Sequence, residues 1–196
     1  VPSSQAVVEL REYALFPEHA STFMKEANAS SELRKKISPL RFFTHPDTGG
    51  QLHVATHAYY YAGGLSERDT VRKLMTESNE WQAFTETTRK YVQSQKSTLF
   101  VEAPLVREAN LPGLATVLDS QPGVDSILEI RRYNLKLGYD TVPKFLELYG
   151  SGLPSKLNAD GTDPTTTLVT LLCSEVGRLN EIIEVWRHGN GVAAME

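Results

Sequence analysis

The 196-residue sequence has little cysteine, no long apolar run and no block of basic residues. Cys173 is the only cysteine, so no internal disulfide can form and the fold does not depend on oxidation. It lies in the run "TLVTLLCSEVG", where a small buried side chain is expected rather than a nucleophile. No apolar run approaches the roughly 18 residues of a membrane-spanning helix, so no transmembrane segment is predicted.

Concentrated positive charge is also lacking. The chain carries 20 basic and 24 acidic residues, for a net charge of −4, and no Lys/Arg run stands out. Nucleic acids and anionic membranes attract basic patches, so nucleic-acid binding is not predicted. His53 and His57 are four residues apart on a predicted strand, which separates them by roughly 13 Å. That distance is too long for one metal ion, so neither a metal site nor a cofactor is predicted.

What the sequence does contain is an internal repeat. The stretch "VELREYALF" at 8–16 returns as "LEIRRYNLK" at 128–136. Glu9, Arg11 and Tyr13 align with Glu129, Arg131 and Tyr133 at a shift of 120 residues. Further along, the shift grows to 127, where "GQL" at 50–52 aligns with "GRL" at 177–179. A repeat of this length indicates two copies of one structural unit.

The first copy has the pattern of a ferredoxin-like unit. "AVVELREY" alternates as a strand does, and "PEHASTFMKEANASSELRKK" follows as a helix. "PLRFFTH" and "LHVATHAYYY" predict a hairpin around the turn "PDTGG". A helix with a capping-box-like start at Ser66, broken near Asn79, leads to a last strand "STLFVEAPLV". This β-α-β-β-α-β order predicts an α+β unit over residues 1–106.

The second copy is predicted to be incomplete. Residues 107–125, rich in proline and glycine, are interpreted as a linker, and residues 126–196 as the second unit. Its strands are predicted at "ILEIRRYNL", "LVTLLC" and "LNEIIEVWRH", with a helix at "VPKFLELYG" and a loop at "SGLPSKLNADGTDPTT". The sequence stops where the second helix should begin. A sheet without its fourth strand has an open edge, so either a truncated sequence or a neighbour covering that edge is expected.

The alternation also divides each sheet into two faces. The plain apolar sets Val8/Leu10 and Leu128/Ile130 are assigned to the helix side, which leaves a polar and aromatic set on the opposite face in both copies. Two such faces packed together predict a barrel with a polar interior. Its charges must be paired, with Glu9 on Arg11 or Arg131 and Glu184 on His57 or His188. The candidate pocket consists of Arg11, Tyr13, His57, Tyr59, Tyr61, Arg131, Tyr133, Glu184, Trp186 and His188.

At these residues the sequence resembles the NIPSNAP family. The resemblance rests on "ELREYAL" and "EIRRYNL", on the strands "HAYYY" and "LNEIIEVWRH", and on "LSERDTVRKL" followed by Glu80-Trp81. It implies ferredoxin-like units in a dimeric α/β-barrel arrangement, here two units in one chain. It also implies a mitochondrial location, in the matrix or on the matrix side of the inner membrane. The start "VPSSQ", without methionine, fits either a cleaved leader or a trimmed sequence.

The resemblance further implies an interaction or scaffold protein without settled catalytic chemistry. The leading prediction is therefore a non-catalytic mitochondrial adaptor or accessory subunit, with a partner of a larger assembly adding a strand at the open edge. The alternative is a small-molecule-binding or oxidative enzyme, monooxygenase- or isomerase-like, that uses the polar interior. A free homodimer is the third possibility. A filled interior would favour the adaptor, and a cavity with converging His57 and Glu184 would favour the enzyme.

Overall fold

A computed structural model describes residues 5–116, 126–159 and 161–194. The chain divides into two compact units, Val1–Leu99 and Phe100–Glu196. Each unit packs helices on an antiparallel sheet, so the predicted α+β class is confirmed. No helix in the described part of the chain is long and apolar enough to cross a membrane.

The first unit is a ferredoxin-like fold. Its elements in chain order are β1 (Val7–Leu15), a 3-10 turn (Pro17–His19), α1 (Ala20–Ala29), α2 (Ser31–Ile37), β2 (Leu40–Thr44), β3 (Val54–Tyr61), α3 (Gly64–Glu77), α4 (Asn79–Arg89) and β4 (Val92–Glu102). The strands lie in the order β2-β3-β1-β4. Strand β1 pairs antiparallel with β3, in a register that sets Glu9 opposite Tyr59 and Arg11 opposite His57.

The helices of the first unit differ from the prediction at their ends. Helix α3 begins at Gly64, two residues before the predicted start at Ser66. Gly64 has a φ of +69°, a left-handed conformation that glycine adopts without strain. The predicted break at Asn79 is present. Ser78 leaves the helical conformation, and its Oγ accepts a hydrogen bond of 3.3 Å from the amide of Trp81, which caps α4.

The boundary between the units differs from the predicted linker. Strand β4 ends at Glu102, and Pro104 starts a short helix, α5 (Pro104–Glu108), in place of continued strand. Val106 and its neighbours then pack into the core of the second unit. Residues 107–116 therefore belong to that unit, and 117–125 lie outside the described residues.

The further elements of the second unit are β5 (Ile127–Asn134), α6 (Thr141–Leu157), β6 (Thr166–Val176), β7 (Glu181–His188) and a 3-10 turn (Gly191–Ala194). Its three own strands pair in the order β6-β7-β5, with the end of β4 beside β6. The amide of Ala103 donates to the carbonyl of Leu171 at 2.8 Å. Strand β5 forms the other edge, and no strand of the described residues pairs with its outer side.

Helix α6 is longer than predicted. The segment 151–157, expected to be loop, forms its last two turns, although Pro154 lies within it. Leu153 explains the extension, because this residue is buried against Leu168 and Trp186 of the sheet. Packing of an apolar face outweighs the local helix-breaking tendency of Gly152 and Pro154.

The predicted assignment of the sheet faces is wrong. In the first unit, Phe23 of α1 packs against Tyr13 and Ala55, which share the face predicted to point away from the helices. In the second unit, Phe145 of α6 packs with Tyr133 in the same way. Val8 and Leu10 lie on the other face and are also buried. Since both faces are covered, alternation alone could not identify the helix side.

Candidate functional site

The candidate polar residues lie between the sheet and the helices of their own unit. In the first unit they are organised around Glu9, whose side chain is fully buried on β1. Arg11 Nε donates to Glu9 at 3.0 Å, so the predicted Glu9–Arg11 pair is present. Two further arginines approach from α3: Arg68 through Nη2 at 2.9 Å and Nε at 3.1 Å, and Arg72 through Nη1 at 3.5 Å. We call these four residues the Glu9 cluster.

Neutral donors complete the shell of Glu9. Ser97 of β4 donates through Oγ at 2.6 Å, and the Tyr61 hydroxyl donates at 3.3 Å. Burial raises the pKa of Glu9, but the hydrogen bonds from Arg68, Ser97 and Arg11 and the charge of Arg11 together lower it to about 2. Glu9 is therefore ionised at neutral pH, and it is not poised to accept a proton in a reaction.

A second polar group in this unit surrounds Arg34 of α2. This guanidinium is only 3% exposed. It lies over the rings of Phe43, Trp81 and Phe84, 5.3–5.5 Å from their centroids, and its Nη1 donates to Nδ1 of His57. We call these five residues the Arg34 cage. Helix α2 carries the arginine inward because its basic run "RKK" wraps around the helix, so that Lys35 and Lys36 point elsewhere.

His57 is fully buried and uncharged. Burial, with the charges of Arg34 and Arg11, lowers its pKa well below the ordinary value of 6.5. Because Nδ1 accepts from Arg34, the ring proton belongs on Nε2. Nε2 has no hydrogen-bond partner among the described residues, and neither has Nε of Arg34. Tyr59 completes the surroundings, with its hydroxyl 3.2 Å from Nδ1.

Tyr59 and Tyr61 are protonated at neutral pH. Burial raises the pKa of Tyr59 and of Tyr61, and the charge of Glu9 raises both further. Tyr59 and Tyr61 therefore act as packing groups and hydrogen-bond donors at neutral pH, rather than as bases. The Tyr13 ring packs against the ring of His57 in a tilted arrangement, with 4.7 Å between the ring centroids.

The second unit places its buried carboxylate on a different strand. Glu184 of β7 is fully buried and accepts from Lys156 Nζ of α6 at 2.7 Å and from Trp186 Nε1 at 2.8 Å. Burial raises its pKa, but these hydrogen bonds and one from Tyr149 lower it further than burial raises it. Arg131 Nη1 lies 3.8 Å away. We call Glu184, Lys156, Trp186 and Tyr149 the Glu184 cluster.

The repeated first-strand residues behave differently in this unit. Glu129 is a quarter exposed, and Arg131 binds it with two hydrogen bonds of 2.6 and 2.9 Å. His188 Nε2 lies 3.1 Å from Glu129, so His188 is not the partner of Glu184. Burial raises the pKa of Tyr133, as does the charge of Glu184.

Within each unit, the structure thus brings the candidate residues into separate sets. Arg11, Tyr13, His57, Tyr59 and Tyr61 lie together in the first. The second contains Arg131, Tyr133, Glu184, Trp186 and His188. Sequence reasoning missed the helix residues Arg34, Arg68, Arg72 and Lys156. Arg68 and Arg72 carried a signal, since an i,i+4 pair shares one helix face; Arg34 and Lys156 carried none that separates them from solvated neighbours.

Two further kinds of group bear on the chemistry of the described residues: possible metal ligands and the thiol of Cys173. No group of three or more His, Cys, Asp or Glu side chains that could hold a metal ion occurs within the described ranges. Burial raises the pKa of the Cys173 thiol to about 11, so this cysteine is protonated at neutral pH and is a poor nucleophile.

Comparison with known proteins decides the family. The sequence model of the NIPSNAP family matches residues 8–106. The chain belongs to the NIPSNAP family. That match covers the first unit and includes β1, from which Glu9 and Arg11 project. No curated protein matches the NIPSNAP chain.

Solved structures resemble the NIPSNAP chain in two ways. An uncharacterised NIPSNAP domain protein from Burkholderia xenovorans is 25% identical, with a TM-score of 0.47 over 50% of this chain and 95% of its own. A protein from Fusobacterium nucleatum, provisionally described as a monooxygenase, matches 98% of this chain and 79% of its own at 8% identity and a TM-score of 0.64. A similarly described protein from Lactobacillus acidophilus matches 98% and 80% at 11% identity and a TM-score of 0.56. The two longer matches show the fold alone.

Proposed function

We propose that this NIPSNAP protein is non-catalytic and binds other proteins, as an adaptor or an accessory subunit of a larger assembly. Its proposed location is mitochondrial, in the matrix or on the matrix side of the inner membrane. The proposed mode of binding is strand addition, in which an extended segment of a partner pairs with an exposed strand.

The observation that carries this proposal is the outer edge of β5. This strand pairs with β7 through eight residues, Ile127–Asn134, and no strand of the described residues occupies its other side. The corresponding strand of the first unit, β1, lies between β3 and β4. A strand edge presents a row of unpaired N–H and C=O groups that another chain can satisfy. A neighbour at β5 would complete the same four-stranded order that β4 completes in the first unit.

The buried carboxylates support the non-catalytic part of the proposal. Glu9 and Glu184 each accept several hydrogen bonds from their own unit, and both have a lowered pKa. A general base works best with a pKa near the working pH. His57, the other candidate base, has a pKa that is lowered as well. These groups stabilise the packing of helices on the sheet.

The alternative is a small-molecule-binding or oxidative enzyme. This alternative is supported by the fold shared with the two proteins provisionally described as monooxygenases. One fold can carry many different chemistries. This alternative predicts turnover of a small substrate that depends on the polar groups of one unit. A homodimer joined through β5 is a further competitor, since the same edge of a second copy could fill the position.

The first test is the native mass of the protein extracted gently from its source, with identification of co-migrating proteins. We expect it to run within an assembly much larger than one or two chains, in a mitochondrial fraction. Migration alone at the mass of one chain would contradict the adaptor proposal. Migration at the mass of two chains would favour the homodimer.

The second test is amide hydrogen exchange on the natural protein, alone and in the isolated assembly. Outward-facing amides of β5, roughly every second one, should exchange quickly in the free protein and become protected in the assembly. Strand β1 is the matched control, because both of its sides are paired and its protection should not change. Protection of β5 already present in the free monomer would show that the protein covers its own edge, and strand addition would then be wrong.

A further inference from the structure

Arg34 is a buried cation without an anionic partner. Its residue is 3% exposed, and no carboxylate of the described residues lies within salt-bridge distance of it. Arg11, whose charge also acts on His57, binds Glu9. A buried charge is strongly destabilising unless an opposite charge or a full set of hydrogen bonds compensates it.

The Arg34 cage compensates that charge only in part. The three rings of Phe43, Trp81 and Phe84 offer their negative faces to the guanidinium, at 5.3–5.5 Å. His57 accepts one hydrogen bond but contributes no negative charge. Two N–H groups remain without acceptors among the described residues: Nε of Arg34 and Nε2 of His57. Both are buried donors, and buried donors are nearly always satisfied in native proteins.

The second unit shows what completes this arrangement. His57 lies opposite Arg11 on the paired strands, and Glu184 lies opposite Arg131 in the equivalent position. The helix before the hairpin supplies a cation in both units: Arg34 in the first and Lys156 in the second. Lys156 meets the carboxylate of Glu184 at 2.7 Å. In the first unit the same position holds the imidazole of His57, and no carboxylate of the described residues takes the place of Glu184 beside Arg34.

We propose that the Arg34 cage binds the carboxylate of a small organic acid, which takes the role that Glu184 plays in the second unit. A carboxylate supplies one negative charge for the uncompensated cation and an acceptor for the unsatisfied Nε of Arg34. The aromatic walls suit an acid with an apolar body. They disfavour inorganic phosphate, whose second charge would be desolvated without a second free cation. Because Arg34 is almost inaccessible, the acid enters by local opening of the helices over the site.

The test is equilibrium titration of the intact protein with acetate and benzoate, followed by calorimetry. Acetamide and benzamide serve as neutral controls of matched shape, and inorganic phosphate as the competing anion. Trp81 provides an independent signal, since it is one of two tryptophans and contacts Arg34 directly. In the Trp186→Phe variant it is the only tryptophan, so a change in fluorescence reports on the cage. We expect saturable binding of at least one acid, at least ten-fold tighter than its amide.

Three variants locate the site. Arg34→Met retains the apolar stem and removes the charge, and it should weaken binding of the acid by at least ten-fold. Arg89→Met removes one exposed positive charge from the same unit and should leave binding unchanged. His57→Glu places a carboxylate where the second unit has one, so it should abolish binding of the acid while the protein remains folded. This last variant keeps the test decisive if Arg34→Met fails to fold.

Several outcomes would overturn the proposal. Equal affinity for acid and amide would show that charge is not recognised. Tight binding of phosphate in place of either acid would contradict the carboxylate assignment. Undiminished binding to His57→Glu would place the acid elsewhere. Absence of binding by both acids to the wild-type protein at tens of millimolar would remove the site altogether.

Discussion

Arg34 and Lys156 occupy equivalent places in the two units, each at the end of the helical segment that joins the first strand to the hairpin. Lys156 meets the carboxylate of Glu184, whereas Arg34 meets the uncharged ring of His57. The carboxylate of the first unit, Glu9, lies instead on the first strand and binds three arginines. Both units therefore keep the sheet register and a first-strand carboxylate, Glu9 or Glu129, and the second unit carries an additional buried carboxylate, Glu184, on β7.

The two units also differ in how many elements donate hydrogen bonds to the buried carboxylate, Glu9 in the first unit and Glu184 in the second. Glu9 receives donors from β1, β3, β4 and α3, so one carboxylate ties one helix to three strands. Glu184 receives donors chiefly from its own strand and from α6. Removing Glu9 should thus disturb more of its unit than removing Glu184 does of the other.

The largest expected effect is that of Glu9→Gln. The amide is isosteric, but it removes the buried counter-charge that Arg11, Arg68 and Arg72 share. We expect the free energy of unfolding of the first unit to fall by about 3–5 kcal/mol. Urea unfolding followed by amide exchange of β1 and β3 would measure it.

Glu184→Gln is the matched variant in the second unit, and its expected loss is about 1.5–3 kcal/mol. Exchange of β5 and β7 amides reports on that unit separately. If the two substitutions cost the same, or if Glu184→Gln costs more, the proposed difference between the units is wrong.

Acid should remove the contribution of Glu9 gradually. The pKa of Glu9 is lowered from 4.5 to about 2 in the folded protein. Its contribution is therefore present above pH 4.5 and is lost as the pH falls from about 4.5 to about 2, because the unfolded chain binds the proton first. The slope due to this one group is at most about 1.4 kcal/mol per pH unit.

The measurement is urea unfolding of the first unit between pH 6 and pH 2, for the wild type and for Glu9→Gln. The variant should lack this part of the slope, and its loss of stability relative to wild type should shrink toward pH 2. Parallel curves for the two proteins would show that the pKa of Glu9 is not shifted by folding.

Another prediction places in the first unit the buried carboxylate that the second unit has on β7. His57→Glu gives Arg34 the carboxylate that Lys156 already has, and in buffer free of organic acids it should stabilise the first unit by about 1–2 kcal/mol. Thermal unfolding of the variant beside the wild type would check the sign. Destabilisation would mean that the aromatic rings and His57 already compensate Arg34, and that its charge needs no anion.

The sequence predicted the elements well where periodicity is strong. The alternation of "VVELREYAL" and "EIIEVWRH" identified β1 and β7, and the repeat identified the second unit. It failed where packing decides. Residues 151–157 form helix because Leu153 is buried, and a helix begins at Pro104, where the strand was expected to continue to residue 106. The helix side of each sheet was assigned wrongly because arginine and tyrosine bury long apolar portions beside their polar ends.

For the same reason, the sequence indicated the strand residues of the polar sites but not the helix residues. The strand residues Arg11, His57 and Glu184 could be identified, since two equivalent strands carry them. Arg34 and Lys156 each lie among other polar helix residues, and only the three-dimensional packing shows which cation points inward. A buried carboxylate can pair with a cation at any of several helix positions, and sequence spacing does not show which position it is.

The smallest effects are expected from the ion pairs on the helix surfaces, which serve as controls for the buried carboxylates. Lys35 and Glu32 in the first unit lie 2.9 Å apart, and Lys144 pairs with Asp140 in the second. All four side chains are mostly exposed, so Lys35→Ala and Lys144→Ala should each change the free energy of unfolding by less than about 0.5 kcal/mol. Urea unfolding in low and high salt would measure both. A loss above about 1 kcal/mol in either unit would show that surface charge, and not the buried carboxylates, accounts for the difference in stability between the two units.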